Sequence, residues 1–254
     1  MSKTVSVITT TYEDLGHLKE VAESLLLQDY ESVEYVVVDG GSKDGTLEYL
    51  KDFQKEIANK PGWRFTYISE KDEGIYDAIN KGLRLATGDI IGPLFDRFAK
   101  KDVLSRIVRS MEEEGTDGVH GNLDYMDEKG NTVRKWRMGD RQDIRSGWMP
   151  AHPTLYLKRK IYDIYGGYKT DYRIAADYEF MVRILEDKKV KLSYIPDVLI
   201  HMYYGGTSTA GAGSYWESFW ESVRALKENG ISHPILICLK RTLKVFGQFQ
   251  WRKQ

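Results

Sequence analysis

Hydrophobic and polar residues follow contrasting patterns in the first part of the chain. An apolar run over residues 36–38 shows no alternation and leads directly into Asp39 and Gly40. Unbroken apolar runs are typical of strands covered on both faces, as in parallel sheets. Ligands of open α/β sheets bind beyond the carboxyl ends of such strands, where glycine lets the backbone approach closely. The segment therefore indicates either a ligand site or a plain solvated loop.

The flanking segments alternate between strand and helix patterns. Residues 5–12 are rich in β-branched side chains, and residues 14–28 carry leucine and alanine at helical spacing. A second helical stretch follows residue 46, and residues 63–68 form a third strand pattern. Strands that alternate with helices are joined by crossovers, which give a mostly parallel sheet. The first three strands are thus expected to end at the same edge of this sheet.

Polar blocks, three of which contain glycine, follow these strand patterns. They occupy residues 9–12, 39–46, 72–82 and 86–89. In this order and at this spacing, the blocks resemble those of the family 2 inverting glycosyltransferases of the GT-A fold. The resemblance covers about residues 3–208. The activity that it implies is hexosyl or N-acetylhexosaminyl transfer from a nucleotide-sugar, usually a UDP-sugar.

The resemblance also implies the architecture. We expect an α/β protein with the GT-A fold, in which one Rossmann-like nucleotide-binding domain has a mostly parallel central sheet and helices on both faces. This domain would span residues 1–210, with a nucleotide-sugar half at about 1–98 and an acceptor half at about 99–210. Residues 211–254 would form a C-terminal helical extension.

The donor site implied by the resemblance is built mainly from the first three blocks. Thr9, Tyr12 and Asp39 would lie near the nucleoside. Asp72 and Lys81 would lie near the base or the diphosphate, although Lys81 is alternatively an exposed helix charge, as most lysines are. The full set of predicted donor-site residues is Thr9, Thr11, Tyr12, Asp39, Gly40, Ser42, Asp72, Lys81 and Arg97.

The segment after the fourth block departs from the family pattern. Family members carry an acidic pair of the Asp-x-Asp type here, whereas this chain has the single acid Asp96. Mg²⁺ or Mn²⁺ needs only one or two protein oxygens where phosphate and water supply the rest, so we expect Asp96 to bind a divalent cation. His201 is either a second metal ligand or a core residue. Arg97 is either a diphosphate ligand or a solvated loop charge.

Two further candidates lie in the second half of the chain. His152 stands between Ala151 and Pro153 in a segment that resembles the acceptor side of the family, and its alternative is a structural turn residue. Asp177 matches the family's catalytic base, and its alternative is a first-turn carboxylate that favours the helix dipole. The implied mechanism is a single displacement, with inversion, in which Asp177 takes the proton of an acceptor hydroxyl.

Composition narrows the class of protein without fixing its function. The chain has a formal net charge of -1 and 41% hydrophobic residues, so it is globular and gives no reason to expect nucleic acid as a partner. The single Cys238 excludes an internal disulfide and fits a reducing compartment. No signal-peptide pattern opens the sequence, so we expect a cytoplasmic protein. Phosphate-loop and dinucleotide-binding glycine motifs are absent from the sequence.

The last residues of the chain form a separate pattern. Residues 233–254 combine five basic side chains with spaced apolar ones and contain no acid. This segment is too short and too charged to span a bilayer, but a basic amphipathic helix can lie on an anionic membrane. We expect either peripheral contact with the inner face of the cytoplasmic membrane or packing on the catalytic domain or a partner copy.

Two functional classes stay open at this point. The resemblance implies an enzyme that glycosylates a saccharide or a lipid-linked saccharide during surface polysaccharide synthesis. The altered acidic motif around Asp96 instead favours a nucleotide-sugar-binding protein with weak or no transfer activity.

Overall fold

The structure is a computed structural model that describes residues 2–205 and 212–249. Its first part contains β1 (Val5–Thr11), α1 (Leu15–Leu26), β2 (Val33–Asp39), α2 (Thr46–Ile57), β3 (Trp63–Ser69), α3 (Ile75–Leu85) and β4 (Ile90–Pro93). Its second part contains β5 (Arg97–Phe98), α4 (Val103–Glu113), β6 (Gly118–Met126), β7 (Thr132–Trp136), β8 (Tyr156–Lys158), α5 (Arg159–Tyr165), α6 (Ala176–Glu186), β9 (Leu192–Tyr203), α7 (Ala212–Glu228) and α8 (Pro234–Phe246). Single 3-10 turns occupy Ile144–Ser146 and His152–Thr154. The end of the predicted extension, residues 250–254, lies outside the described residues.

The first four strands form a parallel sheet, as the alternating pattern predicts. β1 pairs in parallel with β2 and β4, and β2 pairs in parallel with β3. The register aligns Thr11 with Asp39 and Asp39 with Ser69, so three strands end side by side. All seven residues of β2 are buried, which accounts for its unbroken apolar run. The polar loops after these strands therefore meet at one edge.

Helices cover both faces of this parallel region. Val7 and Val37 belong to a core cluster with residues of α1, α2 and α4. Ile8 and Val36, which point to the other face, pack with Ala86 at the end of α3. The predicted α/β arrangement with helices on both faces is thus confirmed.

The rest of the sheet is mixed rather than parallel. The strand order is β3-β2-β1-β4-β8-β6-β9-β5, with β7 paired to β6. β8 runs antiparallel to both β4 and β6, whereas β6 and β9 are parallel. The connection from β7 to β8 contains two 3-10 turns and no α-helix, so no crossover requires β8 to run parallel. The expectation of a mostly parallel sheet therefore holds for β1 to β4, whereas the rest of the sheet combines one parallel pair, β6 and β9, with antiparallel pairs.

The C-terminal helices share a hydrophobic core with α6. Phe219, Val223 and Leu226 of α7 and Ile237 and Cys238 of α8 are buried in the same cluster as the apolar face of α6. Burying a large apolar side chain stabilises a fold by about 1.5–3 kcal/mol, so these helices are firmly attached. None of the helices within residues 2–205 and 212–249 is long and apolar enough to cross a membrane.

Candidate active site

Asp39 organises the loop that follows β2. Its side chain is completely buried, and its carboxylate accepts hydrogen bonds from the hydroxyls of Ser42 at 2.5 Å and Ser69 at 2.6 Å. The Ser42 amide also donates to it, at 3.2 Å from both oxygens. The buried Asp39 side chain thus connects the loop after β2 to the end of β3. Gly40 and Ser42, which are both half-buried, lie at the outer surface of this loop.

Gly40 allows two other loops to approach closely. A β-carbon at this position would lie 3.0 Å from Cδ2 of Tyr12 and 3.3 Å from Oδ2 of Asp72. A side chain here would therefore push Tyr12 and Asp72 apart. The Gly40 amide donates to the carbonyl of Thr11 at 2.9 Å, which holds the loop against β1. Tyr12 is 66% exposed and presents its ring to solvent beside this junction.

Lys81 is a paired residue and not a solvated helix charge. Its ammonium lies 2.6 Å from Asp72, 2.9 Å from Glu70 and 3.4 Å from Asp77, and its side chain is only 12% exposed. The hydrogen bond with Asp72 is the main cause that raises the pKa of Lys81 above its ordinary value. The alternative of an exposed charge is thus wrong. The group as a whole carries more negative than positive charge.

Thr9 lies below the site rather than in it. Its side chain is buried, and its hydroxyl donates to the carbonyl of Leu94 at 2.8 Å. This bond ties β1 to the chain after β4, so the predicted contact of Thr9 with the nucleoside is replaced by a structural role. Thr11, at the end of the same strand, is half-buried at the ligand edge.

Asp96 is held by backbone groups on two strands. One oxygen accepts from the Arg97 amide at 2.8 Å, and the other accepts from the Tyr203 amide at 2.6 Å. Arg97 lies opposite His201 in the β5–β9 register, so their side chains share a face. The Arg97 guanidinium also reaches Glu20 on α1 at 3.2 Å. The structure therefore brings the three predicted residues Asp96, Arg97 and His201 together.

These residues fit a metal site only in part. Within residues 2–205 and 212–249, no group of three or more His, Cys, Asp or Glu side chains is arranged to hold a metal ion. Each oxygen of Asp96 still has a second lone pair beyond its amide bond. Asp96 and His201 thus fit a cation whose remaining ligands are diphosphate oxygens and water, and do not form a closed protein site.

Asp177 occupies the first turn of α6 and is half-buried. Its Oδ1 accepts from the Tyr178 amide at 2.8 Å and lies 3.3 Å from the hydroxyl of Tyr76. Its other oxygen has no hydrogen-bond partner among the residues that the structure describes. One oxygen is therefore fixed while the other is available to receive a proton.

A row of rings connects the Asp96 loop with Asp177. The Phe95 ring stacks on His152 with 5.9 Å between centroids, and Nε2 of His152 lies 2.7 Å from the hydroxyl of Tyr168. Tyr168 stacks on Tyr76 at 6.1 Å, and Tyr76 reaches Asp177. His152 is buried, and burial lowers its pKa below the ordinary value. This placement supports the structural alternative for His152, because its ring contacts other rings and not the open site.

Sequence reasoning missed two residues that hold the Asp177 segment. Tyr76 lies in the third polar block, and its hydroxyl donates to the carbonyl of Ile174 at 2.5 Å. Glu221 on α7 accepts from the backbone amides that precede α6. An aromatic hydroxyl inside a motif block was a usable signal for Tyr76. No local pattern in the sequence marks Glu221, because its partners lie far away in the chain.

Comparison with solved structures defines the class of protein. TarS of S. aureus in complex with UDP superposes with a TM-score of 0.69 at 17% identity, covering 96% of this chain and 72% of that one. A mannosyltransferase from Pyrobaculum calidifontis, solved with GDP-Man and Mn²⁺, gives 0.67 at 20% identity, covering 94% and 70%. The fold is therefore the GT-A fold of these glycosyltransferases.

Sequence comparison gives the family. The model of glycosyl transferase family 2 matches residues 6–174. An uncharacterised glycosyltransferase of Mycobacterium tuberculosis is 31% identical over 198 residues, which cover 71% of this chain and 68% of the relative. The chain therefore belongs to glycosyltransferase family 2.

Proposed function

We propose that the protein is an inverting glycosyltransferase in which Asp177 is the general base. Asp177 takes the proton from an acceptor hydroxyl, and that oxygen forms a bond to the anomeric carbon of the donor sugar. The bond from this carbon to the diphosphate breaks, and its electron pair leaves with the nucleoside diphosphate. The observation that carries the proposal is the geometry of Asp177, whose Oδ1 is held by Tyr178 while its other oxygen is available.

The donor that we propose is a UDP-sugar, of the hexosyl or N-acetylhexosaminyl type. The loop shaped by Asp39, with Gly40 and Ser42 at its surface, would receive the nucleoside beside Tyr12. The surplus negative charge around Lys81 favours N–H groups of a base over a diphosphate. We therefore assign Asp72 to the base rather than to the phosphates.

The diphosphate would lie at the other end of the site. Asp96 and His201 would hold a divalent cation, Mg²⁺ or Mn²⁺, and Arg97 is close enough in the fold to meet the same phosphates. When bound, such a cation supplies positive charge that stabilises the leaving diphosphate. The solved mannosyltransferase neighbour, which contains Mn²⁺, supports this assignment.

Calorimetry and turnover test this proposal together. We expect UDP to bind more tightly than GDP and more tightly with Mn²⁺ than with EDTA, and the same preparation to release UDP from a UDP-sugar. Nucleotide binding without turnover across a panel of UDP-hexoses would instead favour the second candidate, a nucleotide-sugar-binding protein. The altered acidic motif, in which Asp96 stands alone, is the observation that favours this second candidate.

We propose a saccharide or lipid-linked saccharide as the acceptor, in the synthesis of a surface polysaccharide at the inner face of the cytoplasmic membrane. The apolar surface of α7 and α8 supports the membrane contact. Eight of the thirteen large hydrophobic side chains that are exposed in the described part of the chain lie on these two helices. They are Tyr215, Trp216, Trp220, Ile235, Leu236, Leu239, Leu243 and Phe246, and we call them the C-terminal apolar surface.

This surface spans two contacting helices, and its α8 part lies beside positive charge. The exposed side chains of α8 lie within one face of the helix, opposite the buried Ile237 and Cys238. The hydroxyl of Tyr215 on α7 lies 2.8 Å from that of Thr242 on α8, which joins the two helices at this surface. No acidic residue follows Glu228, whereas Lys240 is exposed beside the apolar face. Anionic lipid is the partner that fits both features.

Flotation with vesicles tests the membrane contact. We expect the full chain to float with vesicles that contain anionic phosphatidylglycerol and to stay behind with neutral phosphatidylcholine vesicles. Leu243→Asn should weaken flotation, whereas Leu27→Asn should not, although both leucines are 72% exposed. Equal flotation of the two variants would contradict this role for the surface.

A further inference from the structure

The chain that leads into α6 lacks a local cap. Ala175 precedes the helix at the N-cap position, where alanine has no side-chain oxygen to accept the free amides. Asp177 follows in the first turn. An uncapped start would let this turn fray, and the direction of the Asp177 carboxylate would vary with it. The position of this turn therefore depends on what holds residues 173–175, the segment that leads into the helix.

Glu221 of α7 holds this segment by its backbone amides. Its Oε1 lies 2.7 Å from the amide of Arg173, and its Oε2 lies 2.9 Å from the amide of Ile174 and 2.8 Å from that of Ala175. One carboxylate thus accepts from three consecutive backbone amides. Charge-assisted bonds of this kind are stronger than neutral ones, and a negative charge is favourable at a helix N-terminus.

Tyr76 holds the opposite side of the same segment. Its hydroxyl donates to the carbonyl of Ile174 at 2.5 Å, while the Ile174 amide donates to Glu221. Hydrogen bonds from side chains of α3 and α7 therefore hold the peptide before α6 from both sides. The same Tyr76 hydroxyl lies 3.3 Å from Asp177, so a side chain that holds this peptide also contacts the carboxylate.

We propose that Glu221 is a positioning residue that fixes the catalytic carboxylate of Asp177. This inference rests on the proposed function, because it assigns a purpose to Glu221 only if Asp177 is the base. Both Asp177 and Glu221 lie beyond residue 174, where the match to the family model ends. The reaction would thus depend on two helices outside the matched region, α6 and α7, and α7 would be part of the catalytic unit.

Glu221 can be replaced without removing the side chains that pack α7 into the core. Phe219, Val223 and Leu226 anchor α7 in the core independently of Glu221. Glu217, one turn earlier on the same helix, contacts the exposed guanidinium of Arg173 at 3.3 Å and provides a matched control. Glu221→Gln keeps the size of the side chain but replaces one accepting oxygen by a donor, which opposes the backbone amides.

The test compares steady-state release of UDP by the full-length variants, with a UDP-sugar that the wild type turns over. We expect Glu221→Gln to lower kcat roughly 10- to 100-fold while the KM for the donor changes little, because misplacement of a catalytic group affects turnover and not donor binding. Glu217→Gln should behave as the wild type. A kcat of Glu221→Gln within about twofold of the control would overturn the inference.

A double-mutant cycle separates positioning from general stability. If Glu221 acts through Asp177, Glu221→Gln should cause no further loss of turnover in an Asp177→Asn background. Additive losses would overturn the positioning role. Full activity of Asp177→Asn itself would refute the proposed function, whereas an inactive Asp177→Asn with a fully active Glu221→Gln would refute this inference alone.

Discussion

The region from β1 to β4 and the region from β5 onward hold their polar side chains differently. In the first region the partners are close in sequence. Asp39 is bonded to Ser42, three residues away, and Lys81 to Asp72, nine residues away. Each of these two pairs lies within one short block, although Asp39 also bonds Ser69, 30 residues away. Such blocks can be identified in the sequence alone.

In the second region the partners are remote. Asp177 is contacted by Tyr76 from 101 residues away, and Glu221 reaches the amide of Ala175 across 46 residues. The arrangement exists only once α3, α6 and α7 have packed together. The comparison teaches that the polar blocks of the first region form some of their bonds within a block, whereas the surroundings of Asp177 are a product of tertiary packing.

The largest effect is expected at the proposed base. Asp177→Asn removes the proton acceptor and should lower turnover by about 10²–10⁴-fold without loss of the fold, as measured by UDP release and by circular dichroism. Asp171→Asn is the control, because Asp171 is an exposed acid that pairs with Arg224 on the surface. Turnover of Asp177→Asn equal to that of the control would mean that the second region supplies no base.

A fall in pH should lower stability mainly through the second region. This region contains both buried histidines, His120 and His152. Burial lowers the pKa of His120 from 6.5 to about 4. The unfolded chain therefore binds more protons in this window, and stability is lost as the pH falls from 6.5 towards 4. His120 should account for a decrease of about 3 kcal/mol in the free energy of unfolding. Guanidinium unfolding at neutral and acidic pH measures it.

The variant His120→Leu isolates this contribution. It should make the free energy of unfolding less dependent on pH between 6.5 and 4, because leucine does not titrate. Hydrogen exchange should place the acid response of the wild type in peptides of β6 and its neighbours rather than in β1 to β3. Identical pH dependence of variant and wild type would rule out His120 as its source.

A smaller effect on stability is expected in the first region. Asp39→Asn leaves Ser42 and Ser69 with one acceptor fewer and should lower the free energy of unfolding by about 1–3 kcal/mol. The loosened loop should also bind UDP more weakly in calorimetry. Asp52→Asn is the matched control, since Asp52 is an exposed acid in the same region. If Asp39→Asn changes neither the free energy of unfolding nor the affinity for UDP, the proposed role of the Asp39 hydrogen bonds is wrong.

The sequence was informative where structure is local. The strand and helix patterns of β1 to β3 follow from periodicity, and the polar blocks predict the edge where the loops of Gly40 and Asp72 meet. The direction of β8 was not predictable, because it depends on which strands remain unpaired after folding. The burial of Thr9 and His152 likewise depends on what packs over them. Glu221 has no signal at all without the tertiary contact.

The most direct test of the account measures UDP affinity and turnover on the same preparations of Asp39→Asn and Asp177→Asn. The account predicts a division of roles, in which Asp39→Asn weakens UDP binding while Asp177→Asn binds UDP as the wild type does and loses turnover. Retained turnover in Asp177→Asn, or loss of UDP binding together with turnover in that variant, would contradict the assignment of the base to Asp177.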